Sequence, residues 1–545
     1  MVSNEVKKFN SLKRTKMAPS GLVPNVWHFD IRYIHLEPHP GHVLFLFQPE
    51  SEFIHLEHLG GVPNGSMHSY EYFPESADQA APEVVNALIR SFNNGFAQKG
   101  IPTQTPELRA PWSLKTEDKN FAVAVGKELA RVGVTRALCT IESSPKRVTK
   151  AATMKFMELF VTIAGGLPSS PLQMPNSIAF DYNALARAPE YDDPSNDGEL
   201  SEINRVLQYV RFLDSCSPYT KEKLDGAWHL QMAQTIQQSE QMLKTPIEEL
   251  IEQGEEGNIS AFIDCAARYY LGLGCVRDRQ LCRKYLLQAA FHPLAHDATR
   301  ATAHAMITRW CHEATDEAIR TRYLYASLHH ACLAVKFARS VAAPGHSIPQ
   351  ILFAFKNMTP MLVKDNPDVK KQYPEVFRAL READERFQRD TQTTLKRMKQ
   401  PLRYRCATLE CGIEADHGRM LSRCAGKCDE DKKPHYCSRE CQRKDWPNHK
   451  PFCKPGQPCS VIDAGKALKA APFGGSSKQG QRSMVVNTPG GEMSLSSSTM
   501  SAEFMKEVRE GIEKISVEGD PEDQEKLRRA MASMDRMAVE TFKLE

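Results

Sequence analysis

The spacing of apolar and polar residues along the chain changes character several times. The stretch HVLFLFQPES, residues 42–51, is a short apolar run closed by Pro49, which predicts a strand. APEVVNALIRSFNNGFAQKG, residues 81–100, spaces Val85, Leu88 and Phe92 on one helical stripe, with Gly100 as the expected stop. TEDKNFAVAVGKELARVGV, residues 116–134, repeats the pattern. Thr116 is the expected N-cap, acids fill the first turn, and Gly133 follows the last. MKFMELFVTIA, residues 154–164, predicts a further helix. Residues 1–170 therefore read as a mixed α+β domain.

Segments rich in Pro, Gly, Ser and Asp break the pattern at 165–177 and 188–200. From 201 to 400 the spacing is that of a mainly α-helical domain. In residues 201–214, Ile203, Val206, Leu207, Val210 and Leu213 share one stripe. Residues 266–290 predict two helices joined by a Gly-x-Gly turn. Gly272 and Gly274 permit backbone conformations that strain other residues, and Ala266, Ala267, Ala289 and Ala290 permit close helix approach. The segment resembles one tetratricopeptide-like hairpin, but one copy does not make an array. Residues 461–545 read as a largely disordered, flexible tail. Low-complexity sequence fills 461–500, and short amphipathic helices are expected near 501–515 and 520–542. The first presents Phe504, Val508, Ile512 and Ile515. The second presents Leu527, Met531, Met534 and Ala538.

Composition narrows the classes of function. The chain has 545 residues and a net charge of +3, so its overall charge implies neither a nucleic-acid nor a membrane partner. No run of about 18 apolar residues suggests a membrane span. The first residues are basic without the apolar core of a secretion signal, so an intracellular location is expected, in cytoplasm or nucleus. There are 15 cysteines, and those from Cys406 to Cys459 crowd together while the rest are scattered. In a reducing compartment, scattered cysteines are expected to be small buried hydrophobes, and a tight cluster is expected to bind metal.

The cluster holds four candidate pairs: Cys406 with Cys411, Cys424 with Cys428, Cys437 with Cys441, and His449 with Cys453. Eight thiolate and imidazole ligands fill two tetrahedral zinc sites and leave no open position for catalysis. Zinc also explains how about 50 residues fold with so little apolar content, since a structural zinc supplies on the order of 10–16 kcal/mol. Arg405, Arg423, Lys427, Arg439, Arg443, Lys444 and Lys450 are available to offset the thiolate charge. Interspersed acids and a lack of stacking aromatics argue against nucleic acid.

The segment YCSRECQRKDWPNHKPFC, residues 436–453, resembles the second half of a MYND zinc finger. Tyr436, Gln442, Trp446 and the His449–Lys450 pair fall where that family has them. The resemblance implies an interleaved cross-brace, with Cys406, Cys411, Cys437 and Cys441 on one ion and Cys424, Cys428, His449 and Cys453 on the other. The first two pairs are separated by four and three residues, where the family usually has two. His417 and Cys459 are the alternatives considered and set aside. The family resemblance also implies a protein partner, bound through a proline-rich peptide of the form Pro-x-Leu-x-Pro, with Gln442 and Trp446 lining the groove. A transcriptional or regulatory complex is the expected setting.

No catalytic residue is assigned. The methyltransferases that carry this finger have an Asn-His-Ser/Cys motif that is not seen in this sequence, and no Walker, H-E-x-x-H or G-x-S-x-G motif is seen either. An enzyme of lysine methyltransferase type, or one with an unfamiliar site in the first 400 residues, is the alternative. His28, His35, His39, His42, His55 and His58 are irregularly spaced and are expected at the surface. The layout of the first 400 residues is similar to that of uncharacterised fungal MYND proteins, which brings no activity with it.

Overall fold

The computed structural model describes residues 3–60, 70–96, 108–165, 175–180, 198–218, 245–312, 317–341, 349–353, 355, 369–399, 401–409, 411–415, 421–461, 482–488, 491–497, 502 and 504–510. The first region combines strands β1 (Lys13–Arg14), β2 (Val26–Ile34), β3 (Gly41–Gln48), β4 (Phe53–His58), β5 (Arg109–Ala110), β6 (Ser113–Thr116) and β7 (Glu142–Ser143) with helices α1 (Asn4–Ser11), α2 (Ala77–Asn93), α3 (Lys119–Val132) and α4 (Lys146–Gly165). Five strands form one mixed sheet in the order β4-β3-β2-β6-β7. The β2–β3 and β3–β4 pairs are antiparallel, while β2–β6 and β6–β7 are parallel.

The unbroken apolar run of β3 reflects burial on both faces. Leu44 and Leu46 pack with Val84, Leu88, Phe121 and Val125 of α2 and α3. Phe45 and Phe47 point to the opposite face and meet Phe156 and Phe160 of α4. Strand β2 alternates in the same way: Trp27, Phe29 and Ile31 enter the first cluster. His28, Asp30 and Arg32, the alternate positions, are buried as well. Arg32 lies over the Phe156 ring at 4.4 Å and pairs with Asp30 at 2.7 Å. His28 Nδ1 sits 2.7 Å from Ser144 Oγ.

This two-sided covering corrects the surface assignment of the histidines. His28, His35, His42 and His55 are buried, and only His39 and His58 are exposed. On β2 and β3 the buried rings find partners within the fold, Ser144 for His28 and Arg322 for His42. Two helix ends also differ from expectation. Helix α2 stops at Asn93, before the expected Gly100, which lies outside the described residues. Helix α3 is capped by Asp118, whose side chain accepts from Phe121 N at 2.8 Å. Thr116 is committed to β6, and its carbonyl accepts from Ser144 N. Gly133 does end α3, at φ +89°.

The second region is helical, with α5 (Gly198–Cys216), α6 (Ile247–Glu255), α7 (Ile259–Leu271), α8 (Arg279–Phe291), α9 (Asp297–His312), α10 (Glu317–Val341) and α11 (Pro374–Lys399). From α6 to α10 each helix packs on the next. The α7–α8 hairpin is built as its sequence predicts. Gly272 and Gly274 take φ +70° and +68°, Asp278 caps α8 through Gln280 N and Leu281 N, and the four alanines are buried at the contact.

The two regions share a seam. Tyr33 and Phe73 belong to the core of the helical region. His35 stacks on Tyr325 at 3.8 Å, and Arg322 donates to His42 Nε2 at 3.3 Å. Glu37 bonds His329 at 2.9 Å, and Glu75 pairs with Arg279 at 3.1 Å. No helix among the described residues is long and apolar enough to cross a membrane.

Candidate metal centre

The finger has little regular structure: β8 (Glu414–Ala415), β9 (Ser422–Arg423), β10 (His435–Tyr436) and helix α12 (Arg439–His449). Local chemistry places each ligand pair. Cys406 N bonds Ile413 O at 2.8 Å and closes the first knuckle, while Gly412 turns it at φ +68°. Strands β9 and β10 pair antiparallel, and Cys424 N bonds Pro434 O at 2.9 Å at their end. The second knuckle needs its glycine: a Cβ at Gly426 would overlap Cys453 Sγ and stand 3.3 Å from Cys424 Sγ. Cys437 leaves β10, and Cys441 sits in the first turn of α12, which Ser438 caps by accepting from Cys441 N at 3.2 Å. His449 ends the helix and Cys453 follows one further turn. The buried Tyr436 hydroxyl donates to Asp445 at 2.8 Å and ties strand to helix.

These elements gather the eight ligands into two groups, Cys406 with Cys411, Cys437 and Cys441, and Cys424 with Cys428, His449 and Cys453. Within each group all ligand atoms lie within 4.8 Å of one another. The chain crosses between the groups, with the first and third pairs on one site and the second and fourth on the other, so this is a cross-brace. In the first site, Cys411–Cys437 and Cys437–Cys441 are 3.5 Å apart and Cys441–Cys411 is 3.7 Å. In the second, Cys424–Cys453 is 3.8 Å, and His449 Nε2 lies 3.3 Å from Cys424 Sγ and 3.7 Å from Cys428 Sγ. Zinc–sulfur bonds of about 2.3 Å in a tetrahedron require sulfur–sulfur edges of roughly 3.7 Å. The observed edges fit zinc, and they are far too long for disulfides.

The thiols of the first site are close enough to set one another's protonation. Hydrogen bonds from Cys411 and Cys437 pull the Cys406 thiol far below its ordinary value. The reciprocal bond with Cys406, then burial and the charge of Cys406, push the Cys411 thiol up to about 12. Four thiolates coexist here only around a positive ion. The residues present fit two structural zinc ions with no ligand position left open.

The sequence model of the MYND finger family matches residues 406–453. No curated protein matches the chain, and no solved structure matches it. Residues 406–453 are thus a zinc-binding MYND finger, with the ion assignment that the resemblance implied. The ligands of the first two pairs meet their partners despite the longer gaps. Cys459 stays outside both groups, its thiol donating to Lys432 O at 3.3 Å. His417 lies outside the described residues.

Gln442 is half-buried, while Trp446, one turn further along the same face of α12, is 40% exposed. The Trp446 ring stands edge-on to His449, with centroids 6.0 Å apart. Of the cations named for charge compensation, Arg423 is paired with Glu430 at 2.7 Å.

Two contributors were missed by sequence reasoning. Ser460 Oγ sits 2.8 Å from His449 Nδ1, which leaves Nε2 free to face the ion. Lys506 donates to Cys441 Sγ at 3.2 Å. Neither falls within a recognisable motif.

The scattered cysteines meet the expectation of burial only in part, since Cys139, Cys275 and Cys332 are half-buried. Cys216, Cys265, Cys282 and Cys311 are buried, and burial pushes the Cys265 and Cys311 thiols up to about 12. Among the described residues none of them joins a metal-binding group.

Proposed function

We propose that this protein is an interaction module protein whose zinc finger presents α12 to a proline-rich peptide of a partner protein. The observation that carries the reading is the exposure of Trp446. It is a large indole on a helix of otherwise charged and polar character, held beside the second metal site and left open to solvent. A rigid aromatic on a rigid support is a low-entropy anchor. Gln442, one turn away, offers an amide for the peptide backbone. A proline-containing peptide is already extended and loses little freedom on docking.

On this reading the chain recruits rather than catalyses. Thiolate ligands are best preserved in a reducing compartment, so the proposed setting is intracellular, within a transcriptional or regulatory complex. The test is Trp446→Ala in the full chain, titrated with a Pro-x-Leu-x-Pro peptide while zinc content is followed. Binding weaker by about 1–3 kcal/mol with two zinc ions retained is the expected outcome. Loss of zinc along with binding would make Trp446 part of the metal core instead. Unchanged binding would move the contact to another surface.

A further inference from the structure

The two zinc sites are covered by different parts of the chain. The second is closed by residues that follow directly on Cys453: Ser460 bonds His449, and Gly456 N donates to Asp429 at 3.2 Å. The first is covered from much further along. Strand β11 (Arg482–Thr488) pairs with β12 (Gly491–Ser497) and adds to β8, with Arg482 opposite Ala415 and Ser483 opposite Glu414. Residues 504–510 form a helix, α13. Met484, Ala502 and Met505 are buried in one cluster with Cys406, Cys411, Ile413, Tyr436 and Cys441. Arg509 Nη1 donates to the carbonyl of Cys411 at 3.3 Å, and Lys506 Nζ donates to Cys441 Sγ at 3.2 Å.

We propose that strands β11 and β12 and helix α13 are an integral cap of the four-thiolate site and that Lys506 is its charge-compensating group, guarding Cys441 against electrophiles. The reasoning is electrostatic. A zinc ion with four thiolates carries a formal −2, and one with three thiolates and an imidazole carries −1, so the first site has the more electron-rich sulfurs. An ammonium hydrogen bond withdraws electron density from the sulfur that accepts it, and the buried methionines keep solvent from that side. The cationic cap is found on the site with the larger charge. Although α13 falls within the helix expected at 501–515, it docks on another face. Met505 is fully buried, whereas Phe504 is 48% exposed. On the docked side Met505 enters the finger's cluster, and Lys506 and Arg509 donate to Cys441 and Cys411.

The inference rests on the zinc geometry and is independent of any peptide bound at Trp446. Its test is alkylation of the zinc-loaded full chain by iodoacetamide, mapped cysteine by cysteine by mass spectrometry. In this reaction a sulfur–carbon bond forms as the carbon–iodine bond breaks, iodide leaves, and the alkylated sulfur loses its hold on the ion. Lys506→Met keeps the hydrocarbon stem and removes the charge and donor. Cys441 should then react about tenfold faster, the effect of losing one charge-assisted hydrogen bond, while Cys424 in the second site keeps its rate. Lys506→Arg, which restores charge and donor, should bring Cys441 back to within about twofold of the parent rate. Equal rates for Cys441 in Lys506→Met and the parent would overturn the proposal. So would a parallel rise at Cys424, or the same acceleration in Lys506→Arg, since either means that the substitution only loosened the fold.

Discussion

Residues 26–165 bury apolar side chains on both faces of a five-stranded sheet, whereas residues 406–461 bury mainly thiols. The sheet region has Phe29, Leu44, Phe45, Leu46 and Phe47 wholly inside, and polar groups such as Asp30 and Arg32 are admitted there only as a bonded pair. The finger has few apolar residues of comparable burial, chiefly Ile413, Leu421 and Tyr436, with Met484 and Met505 brought in from the cap. The difference shows what a metal ion contributes to a small unit. It fixes four distant chain positions at once, which a surface of that size does not achieve by excluding water. It also leaves the outer face of α12 free of structural duty, so an indole can stay exposed there.

The largest expected effect separates the two regions. Removing zinc from the full chain with a strong chelator should unfold the finger, because each structural zinc is worth on the order of 10–16 kcal/mol. Hydrogen exchange should then show residues 406–461 losing protection while β2 and β3 keep theirs. Protection lost in both regions would mean that the sheet depends on the finger.

The converse substitution gives the next largest effect. Phe45→Ala removes a fully buried ring that packs on Phe47, Phe156 and Arg32. It should cost the sheet region about 3–5 kcal/mol in denaturant unfolding, with zinc content unchanged. Cys437→Ser should do the reverse, losing metal while leaving the unfolding transition of the sheet region in place. A matching loss of zinc in Phe45→Ala would join the two regions into one cooperative unit.

Acid should distinguish them more finely. In the sheet region, burial alone would raise the Asp30 carboxyl, but Arg32 and His28 outweigh it and hold it at about 2, below the ordinary 3.8. A folded value below the unfolded one stabilises above the unfolded value and is lost as pH falls through the folded one. Asp30 should therefore contribute about 2 kcal/mol above pH 4, disappearing between about pH 4 and pH 2. Asp30→Asn should flatten the stability of the sheet region across that interval. The finger should fail earlier in the titration, as its thiolates take up protons and release zinc. A sheet region of the Asn variant that kept the parent slope would remove Asp30 from the account.

The two regions were also unequally legible in sequence. In the finger, pair spacing defined all eight ligands, since a metal site is a list of donor atoms and the donors are rare residue types. Its surroundings were not legible. Ser460 and Lys506 reach His449 and Cys441 from beyond the motif, and nothing local in their sequence marks a residue that acts across a tertiary contact. The low-complexity composition of 461–500 gave no sign of β11 and β12, because a strand added to an existing edge draws on backbone bonds more than on side-chain pattern. The expected helix at 520–542 lies outside the described residues.

In the sheet region the apolar run of β3 and the helical stripes of α2 and α3 were readable from period alone. The burial of His28, His35, His42 and His55 was not, because a strand's sequence does not say whether one face or both will be covered. The shift of the α3 cap from Thr116 to Asp118 has a similar origin. Both residue types cap helices well, and the choice was made by β7, which recruits Thr116 into the sheet.

The central claim is that two closed zinc sites, and not an apolar core, hold the finger together. Its most direct test is the zinc content of the full chain, by native mass spectrometry after exhaustive dialysis against metal-free buffer. Two tightly held zinc ions per chain are expected, falling in Cys437→Ser together with hydrogen-exchange protection of residues 406–461. A parent chain that holds one ion or none while those residues stay protected would contradict it.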